Sequence, residues 1–176
     1  MKLHQSLIET PVGTMRAIAS HDALCSLEFF SKGRMARLDA RLARWFGDAD
    51  MIDEPNGVIE KTREWLDRYF AGVSADIAGL NLEMRGAPFE RRVWSALRRI
   101  PPGNTTTYGA IARQVGSPDA SRAVGMANGA NPIAIIVPCH RMIGSNGTLT
   151  GYGGGLEKKS WLLNHERRWA REPALF

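Results

Sequence analysis

The sequence predicts an α/β fold in two parts. A small N-terminal α/β domain with an antiparallel sheet is expected over residues 1–82, and a mostly α-helical domain containing a helix-turn-helix over residues 83–176. Three observations predict this. Residues 3–30 are extended apolar runs separated by short turns, as in antiparallel hairpins. After Pro88 the apolar residues recur at helical spacing. The charge also changes sign along the chain: residues 1–82 carry a net −2 and residues 83–176 a net +7.

In the first part, Leu3 to Ile8, Met15 to Ala19 and Leu24 to Phe30 read as strands, with turns at Thr10–Gly13 and His21-Asp22. Cys25 falls in the third run and reads as core. Met35, Leu38, Leu42, Trp45 and Phe46 mark a helix over 34–46. Asp48 to Gly57 reads as an acidic loop. Val58 to Phe70 is a second amphipathic helix, with Ile59, Trp65, Leu66, Tyr69 and Phe70 as core candidates. A connector follows, with a short strand near Leu80–Leu82.

In the second part, Pro88 opens a helix at its first turn, with Phe89, Val93, Trp94 and Leu97 along its apolar stripe. Ile100 to Asn104 breaks it. Thr107 can cap the next helix, Tyr108 to Val115. Gly116-Ser117-Pro118 turns the chain into a third helix, Asp119 to Gly129, and Asn131-Pro132 closes that one. Small residues dominate this third helix, with one cation, Arg122. It lacks the several Arg, Asn or Gln side chains that read sequence in a major groove. The last helix, Leu156 to Trp169, puts Leu162, Leu163, Glu166 and Trp169 near one face.

Composition narrows the classes. Hydrophobic residues make up 44% and charged residues 23%, which is ordinary for a globular protein. No apolar run approaches the ~20 residues that span a bilayer, and the N-terminus lacks the apolar stretch of a signal peptide. A cytoplasmic protein without membrane contact is expected. The two cysteines, Cys25 and Cys139, are widely separated and are expected as free thiols. No Cys/His cluster has zinc spacing, so no metal is expected. The basic second half suggests a polyanion partner.

The chemistry concentrates at Ile133-Ala-Ile-Ile-Val-Pro-Cys-His140-Arg141. An apolar run delivers Cys139 to its end, Pro138 stops it and His140 follows. A thiol becomes a useful nucleophile only where a base or a positive charge favours the thiolate. His140 supplies the base, Arg141 is a source of positive potential, and Glu166 is the carboxylate best placed to orient the imidazole. On residues alone, this Cys–His–Glu set and a buried structural cysteine both remain open.

Val137-Pro138-Cys139-His140-Arg141 resembles the active-site signature of the O6-alkylguanine-DNA alkyltransferases. The resemblance extends in order and spacing through Phe89 to Trp94, Thr107-Tyr108-Gly109, Ser121 to Gly125, Gly129 to Pro132, Tyr152 to Gly155 and Trp161 to Glu166. It covers roughly residues 85–166.

The resemblance implies direct repair of O6-alkylguanine in double-stranded DNA, with O4-alkylthymine as a further substrate. The alkyl group passes irreversibly to Cys139, once per molecule and without a cofactor. It implies that His140 acts as base through a water, that Glu166 holds and charges His140, and that Asn131 bridges the recognition helix and the turn before the cysteine. Arg122 would fill the gap left by a flipped guanine, with its helix in the minor groove. Tyr108 would push the flanking phosphate and help protonate the leaving base. Tyr152 would donate towards the guanine oxygen. Asn128, Met142 and Gly153 would form pocket walls, and Gly109, Ser117 and Ser145 would lie near the DNA backbone. A monomer is expected, with cooperative loading on DNA left open. A non-catalytic lesion binder, a helix-turn-helix regulator and a cysteine hydrolase are the competing classes. Cys139 argues against the first, and the small-residue third helix against the second.

Overall fold

The computed structural model describes residues 1–171. Contacts divide the chain into a unit ending at Arg85 and a unit beginning at Gly86. The residues around Leu82 stay with the first unit because Leu24 donates to the Asn81 carbonyl and accepts from the Glu83 amide, both at 2.8 Å.

The first unit holds strands β1 (Lys2–Thr10), β2 (Gly13–Ala19), β3 (Leu24–Phe29) and β4 (Asp50–Ile52) in one sheet, in the order β3-β2-β1-β4. The β1–β2 and β2–β3 pairs are antiparallel. The β1–β2 turn closes through Gly13, whose φ of 112° suits glycine, and through the Thr10 hydroxyl, which accepts from the Val12 amide. β4 runs parallel to β1, with Lys2 opposite Asp50 and His4 opposite Ile52. The sheet is therefore mixed, where the sequence suggested an acidic loop. Three residues, two of them apolar, are too few to carry a strand periodicity.

Helix α1 (Lys32–Phe46) buries Met35, Leu38, Leu42 and Phe46 on one face, against Leu3, Ile18 and Cys25 of the strands. Cys25 is fully buried, and that burial pushes its thiol up to about 11, which keeps it protonated. Helix α2 (Gly57–Phe70) starts where Asn56 accepts from the Ile59 amide at 3.1 Å. It buries Ile59, Trp65, Leu66 and Tyr69, whereas Phe70 is only half-buried.

The second unit is built on α3 (Pro88–Leu97), α4 (Tyr108–Gln114), α5 (Ser121–Gly129) and α6 (Leu156–Arg171). Val93, Trp94 and Leu97 are fully buried on α3, while Phe89 is half-buried. Trp94 also donates to the Ala127 carbonyl of α5 at 2.8 Å. A Cβ on Gly86 would fall 2.4 Å from the Trp94 ring, so only glycine fits there.

α4 and α5 form the helix-turn-helix. α4 opens on Thr107, whose hydroxyl accepts from the Ala110 amide. It ends in a Schellman turn: Gly116 takes φ 79°, its amide donates to Arg113, and the Ser117 amide donates to Ala112 at 2.9 Å. Two-residue strands β5 (Thr106–Thr107) and β6 (Met142–Ile143) pair in parallel. They tie the start of α4 to the segment just after the cysteine, a pairing too short to read from sequence.

Candidate active site

The cysteine is delivered by a buried loop rather than by a strand. Residues 131–142 are all buried. Within the loop, the Ile136 amide donates to Ala134 and the Val137 amide to Ile133. Ile135 takes φ 69°, a left-handed conformation that a β-branched residue rarely adopts. The surroundings hold that strain in place. The Asn131 side chain clamps the loop from inside, with Nδ2 donating to the Val137 carbonyl at 2.8 Å and Oδ1 accepting from the Ile133 amide at 3.0 Å. The Asn131 backbone amide donates to Asn128 at the end of α5. Asn131 thus connects the helix-turn-helix to the loop that ends in Cys139.

Cys139, His140 and Arg141 form a single 3₁₀ turn. Cys139 is 7% exposed and His140 is fully buried. His140 Nε2 donates to Glu166 Oε1 at 2.6 Å. With Nε2 protonated, the bare ring atom is Nδ1, which is buried and has no hydrogen-bond partner among the described residues. Burial lowers the His140 pKa, and the nearby Arg141 and Lys159 cations add to this. They outweigh the opposing hydrogen bond and charge of Glu166, so the resting imidazole is neutral.

Glu166 reaches this turn from α6, three and four residues beyond Leu163 and Leu162. It is fully buried. Arg141 grips it with Nε on Oε2 at 2.9 Å and Nη2 on Oε1 at 2.7 Å, and also donates to the Ile100 carbonyl. The Gly103 amide adds a longer bond at 3.4 Å. Burial alone would raise the Glu166 pKa, but the hydrogen bonds from His140 and Arg141 and the charge of Arg141 hold it well below the usual carboxylate range. Arg141 was expected as positive potential for the sulfur. Its guanidinium is instead committed to the carboxylate, because a buried anion requires a hydrogen-bonded partner.

Lys159 was not anticipated from the sequence. It is fully buried, and its ammonium donates to the Met142 carbonyl and, at 2.7 Å, to the Thr150 carbonyl. Burial lowers its pKa, and the opposing influence comes from Cys139, so this charge is felt at the sulfur. The signal was available: Lys159, Leu162, Leu163 and Glu166 share one face of α6 at helical spacing. A lysine on an apolar stripe needs the same explanation as a glutamate there. Thr150 was also missed. Its hydroxyl bonds the Tyr108 hydroxyl at 2.7 Å while its carbonyl accepts from Lys159.

The remaining candidates fall around this centre to different degrees. Tyr108 is the first residue of α4, half-buried, and a Cβ on Gly125 would lie 3.5 Å from its ring. Asn128 is buried and donates to the Cys139 carbonyl at 3.4 Å. Met142 is buried on β6. Tyr152 is half-buried and Gly153 exposed in the glycine-rich loop. Arg122 is exposed on α5, on the same face as Ala123, Met126 and Gly129. Gly109 and Ser117 are half-buried, and Ser145 is exposed. Trp169, expected on the buried face of α6, is half-buried against His165. Among the described residues, no group of three or more His, Cys, Asp or Glu is placed to hold a metal ion. Among the described residues no helix is long and apolar enough to cross a membrane.

A helix-turn-helix unit carrying a buried cysteine beside a histidine, glutamate and arginine network defines a class: a DNA-binding fold with a thiol acceptor built into it. The family model described as "6-O-methylguanine DNA methyltransferase, DNA binding domain" matches residues 88–168. The chain belongs to the methylated-DNA–protein-cysteine methyltransferase family. It is 56% identical over 169 residues to the Salmonella typhimurium member, covering 94% of this chain and 96% of that one. It is 41% identical to the Mycobacterium tuberculosis member, covering 98% and 96%. The solved structure of Mycobacterium tuberculosis OGT in complex with DNA superposes with a TM-score of 0.79 at 40% identity, covering 94% of each chain.

Proposed function

We propose that this protein repairs alkylated double-stranded DNA directly, moving the alkyl group from O6-alkylguanine to Cys139, one group per molecule. The observation that carries this reading is the buried, neutral His140. Its Nε2 is held by Glu166, its Nδ1 is buried without a partner among the described residues, and Cys139 precedes it in the same 3₁₀ turn of a unit that carries a helix-turn-helix.

The target atom is out of reach inside the base stack, so the nucleotide must be flipped out. α5 enters the minor groove with its small exposed face, and Arg122 fills the gap, offsetting an unstacking cost of a few kcal/mol. Tyr108 displaces the flanking phosphate, while Gly109, Ser117 and Ser145 line the backbone. Asn128, Met142, Tyr152 and Gly153 wall the pocket.

In the chemical step the Cys139 proton passes through a water to His140 Nδ1. The sulfur lone pair then forms the S–C bond as the C–O6 bond breaks. Both electrons of the broken bond go to guanine, which takes a proton from Tyr152 or Tyr108, and hydrogen bonds stabilise that developing charge. The positive charge gained by His140 is stabilised by Glu166, and Lys159 favours the thiolate. Electrons and atoms balance without a cofactor. The thioether has no easy hydrolytic exit, which limits the protein to one turnover. O4-alkylthymine is a further substrate under the same chemistry. The acting unit is the cytoplasmic monomer, with cooperative loading along DNA as an added property.

Duplex DNA carrying O6-methylguanine, titrated with protein, tests the reading. Guanine should be restored up to one equivalent of protein and no further, and Cys139→Ser should restore none while still binding DNA. Repeated turnover, or repair by the serine variant, would contradict it.

A further inference from the structure

The exposed residues of α5 are Arg122, Ala123, Met126 and Gly129, and only Arg122 and Met126 extend beyond a Cβ. The fold does not demand the glycine: a Cβ on Gly129 would meet nothing within 4 Å, and the residue takes no positive φ. A glycine inside a helix lowers its stability, so this face is kept low for something outside the protein. Met126 breaks that pattern. It is 73% exposed, the highest value for a large apolar side chain among the described residues. It stands four residues after Arg122, on the same helix face and about 6 Å further along the axis. The mechanism above uses Arg122 and leaves Met126 unexplained.

An α-helix with its side chains is about 10 Å across, and the minor groove of B-DNA is about 6 Å wide. A helix enters only by opening the groove, and small side chains reduce how far. Met126 enlarges the opening. Its thioether has no donor for a base edge or a phosphate, so what it can meet is the apolar C–H surface of deoxyribose along the groove wall. An unbranched, flexible side chain suits that irregular surface. We infer that Met126 wedges against the deoxyribose wall one helical turn beyond the flipped nucleotide, which makes it the residue that discriminates sequence context by groove width. This inference rests on the proposed placement of α5 in the minor groove. A-tracts are stiff and narrow there, whereas TA and CA steps deform readily. A lesion between A-tracts therefore costs more to engage, without any base edge being read.

The test uses two duplexes with the same O6-methylguanine, one between A-tracts and one between flanks rich in TA and CA steps. Single-turnover rates of Cys139 methylation are measured for the wild-type protein, Met126→Ala and Met126→Leu. The wild type should favour the deformable duplex by roughly fivefold or more. In Met126→Ala that ratio should fall to about half or less. Met126→Leu keeps the apolar bulk and should hold it. Differences in pairing and flipping cost between the duplexes apply to all three proteins and cancel in the comparison. No preference in the wild type, an unchanged ratio in Met126→Ala, or an equal fall in both variants would each overturn the inference.

A second arm needs no alkyl transfer. Affinities for the same two duplexes without the methyl group are measured at one salt concentration. The wild type should bind the deformable duplex more tightly, and Met126→Ala should narrow the gap. A gap of the same size in both proteins would also overturn the inference. Failure of both methylated duplexes to alkylate Cys139 would instead refute the alkyl-transfer reading, and the binding arm would still decide the role of Met126.

Discussion

Arg141 holds Glu166 with two parallel hydrogen bonds, and the Glu166 oxygen it reaches at 2.7 Å is the same one that His140 addresses at 2.6 Å. The carboxylate is thus neutralised by a permanent cation before the imidazole carries any charge. This explains how a buried glutamate and a buried neutral histidine coexist. It also changes what Glu166 does at rest, where it fixes the tautomer of His140 and leaves Nδ1 free.

Removing that cation should be costly. Arg141→Met should destabilise the protein by about 3–5 kcal/mol, because an uncompensated buried charge remains. Arg141→Lys should recover only part of this, since an ammonium cannot reproduce the two-point grip. Urea unfolding midpoints measure both. Equal stability of wild type and Arg141→Met would contradict the ion-pair account.

The His140 pKa lies below its ordinary value of 6.5 in the fold, so the unfolded chain binds the proton more readily. Stability should fall as pH drops through about 6.5. Glu166 is depressed below its ordinary 4.5, so its contribution is complete above that value and is lost as pH falls further towards the folded pKa. Unfolding free energies at pH 7.5 and 5.5 should therefore differ, and His140→Gln should reduce the difference. An unchanged difference in the variant would count against a neutral buried imidazole.

Lys159→Met removes the charge felt by Cys139 and leaves the Met142 and Thr150 carbonyls without their donor. A loss of about 1–3 kcal/mol is expected from the carbonyls. The pH profile of Cys139 alkylation by iodoacetamide should also move to higher pH, because less thiolate is present at neutrality. A profile that stays in place would assign Lys159 to packing alone.

Asn131→Ala leaves the buried Ile133 amide without its acceptor and takes one of two donors from the Val137 carbonyl, in a loop that already holds Ile135 at φ 69°. A destabilisation of about 2–4 kcal/mol is expected. Alkyl transfer should slow on duplex DNA and on free O6-benzylguanine alike, since the loop positions the sulfur itself. Arg122→Ala should act differently, slowing duplex repair far more than reaction with the free base. Parallel losses on both substrates for Arg122→Ala would remove its role in the gap.

Much of this architecture was legible in the chain. Apolar runs and turns marked β1 to β3, helical spacing marked α1, α2, α3 and α6, and capping and turn residues marked α4 and α5. The ordered residues from Tyr108 to Glu166 marked the site. What escaped had physical reasons. β4, β5 and β6 are two or three residues long and owe their form to a partner strand, which periodicity cannot register. Arg141 sits next to His140 in sequence, yet its role depends on a carboxylate twenty-five residues away. Lys159 lay on the same stripe as Glu166, but its partners are backbone carbonyls, which carry no side-chain signature.

The central claim is that the Cys139 sulfur takes the alkyl group. Incubation with duplex DNA containing O6-methylguanine, followed by digestion and mass analysis of the Cys139 peptide, measures this directly. A single added methyl on Cys139, with none on Cys25, is the expected result. An unmodified Cys139 in protein that has bound the damaged duplex would contradict it.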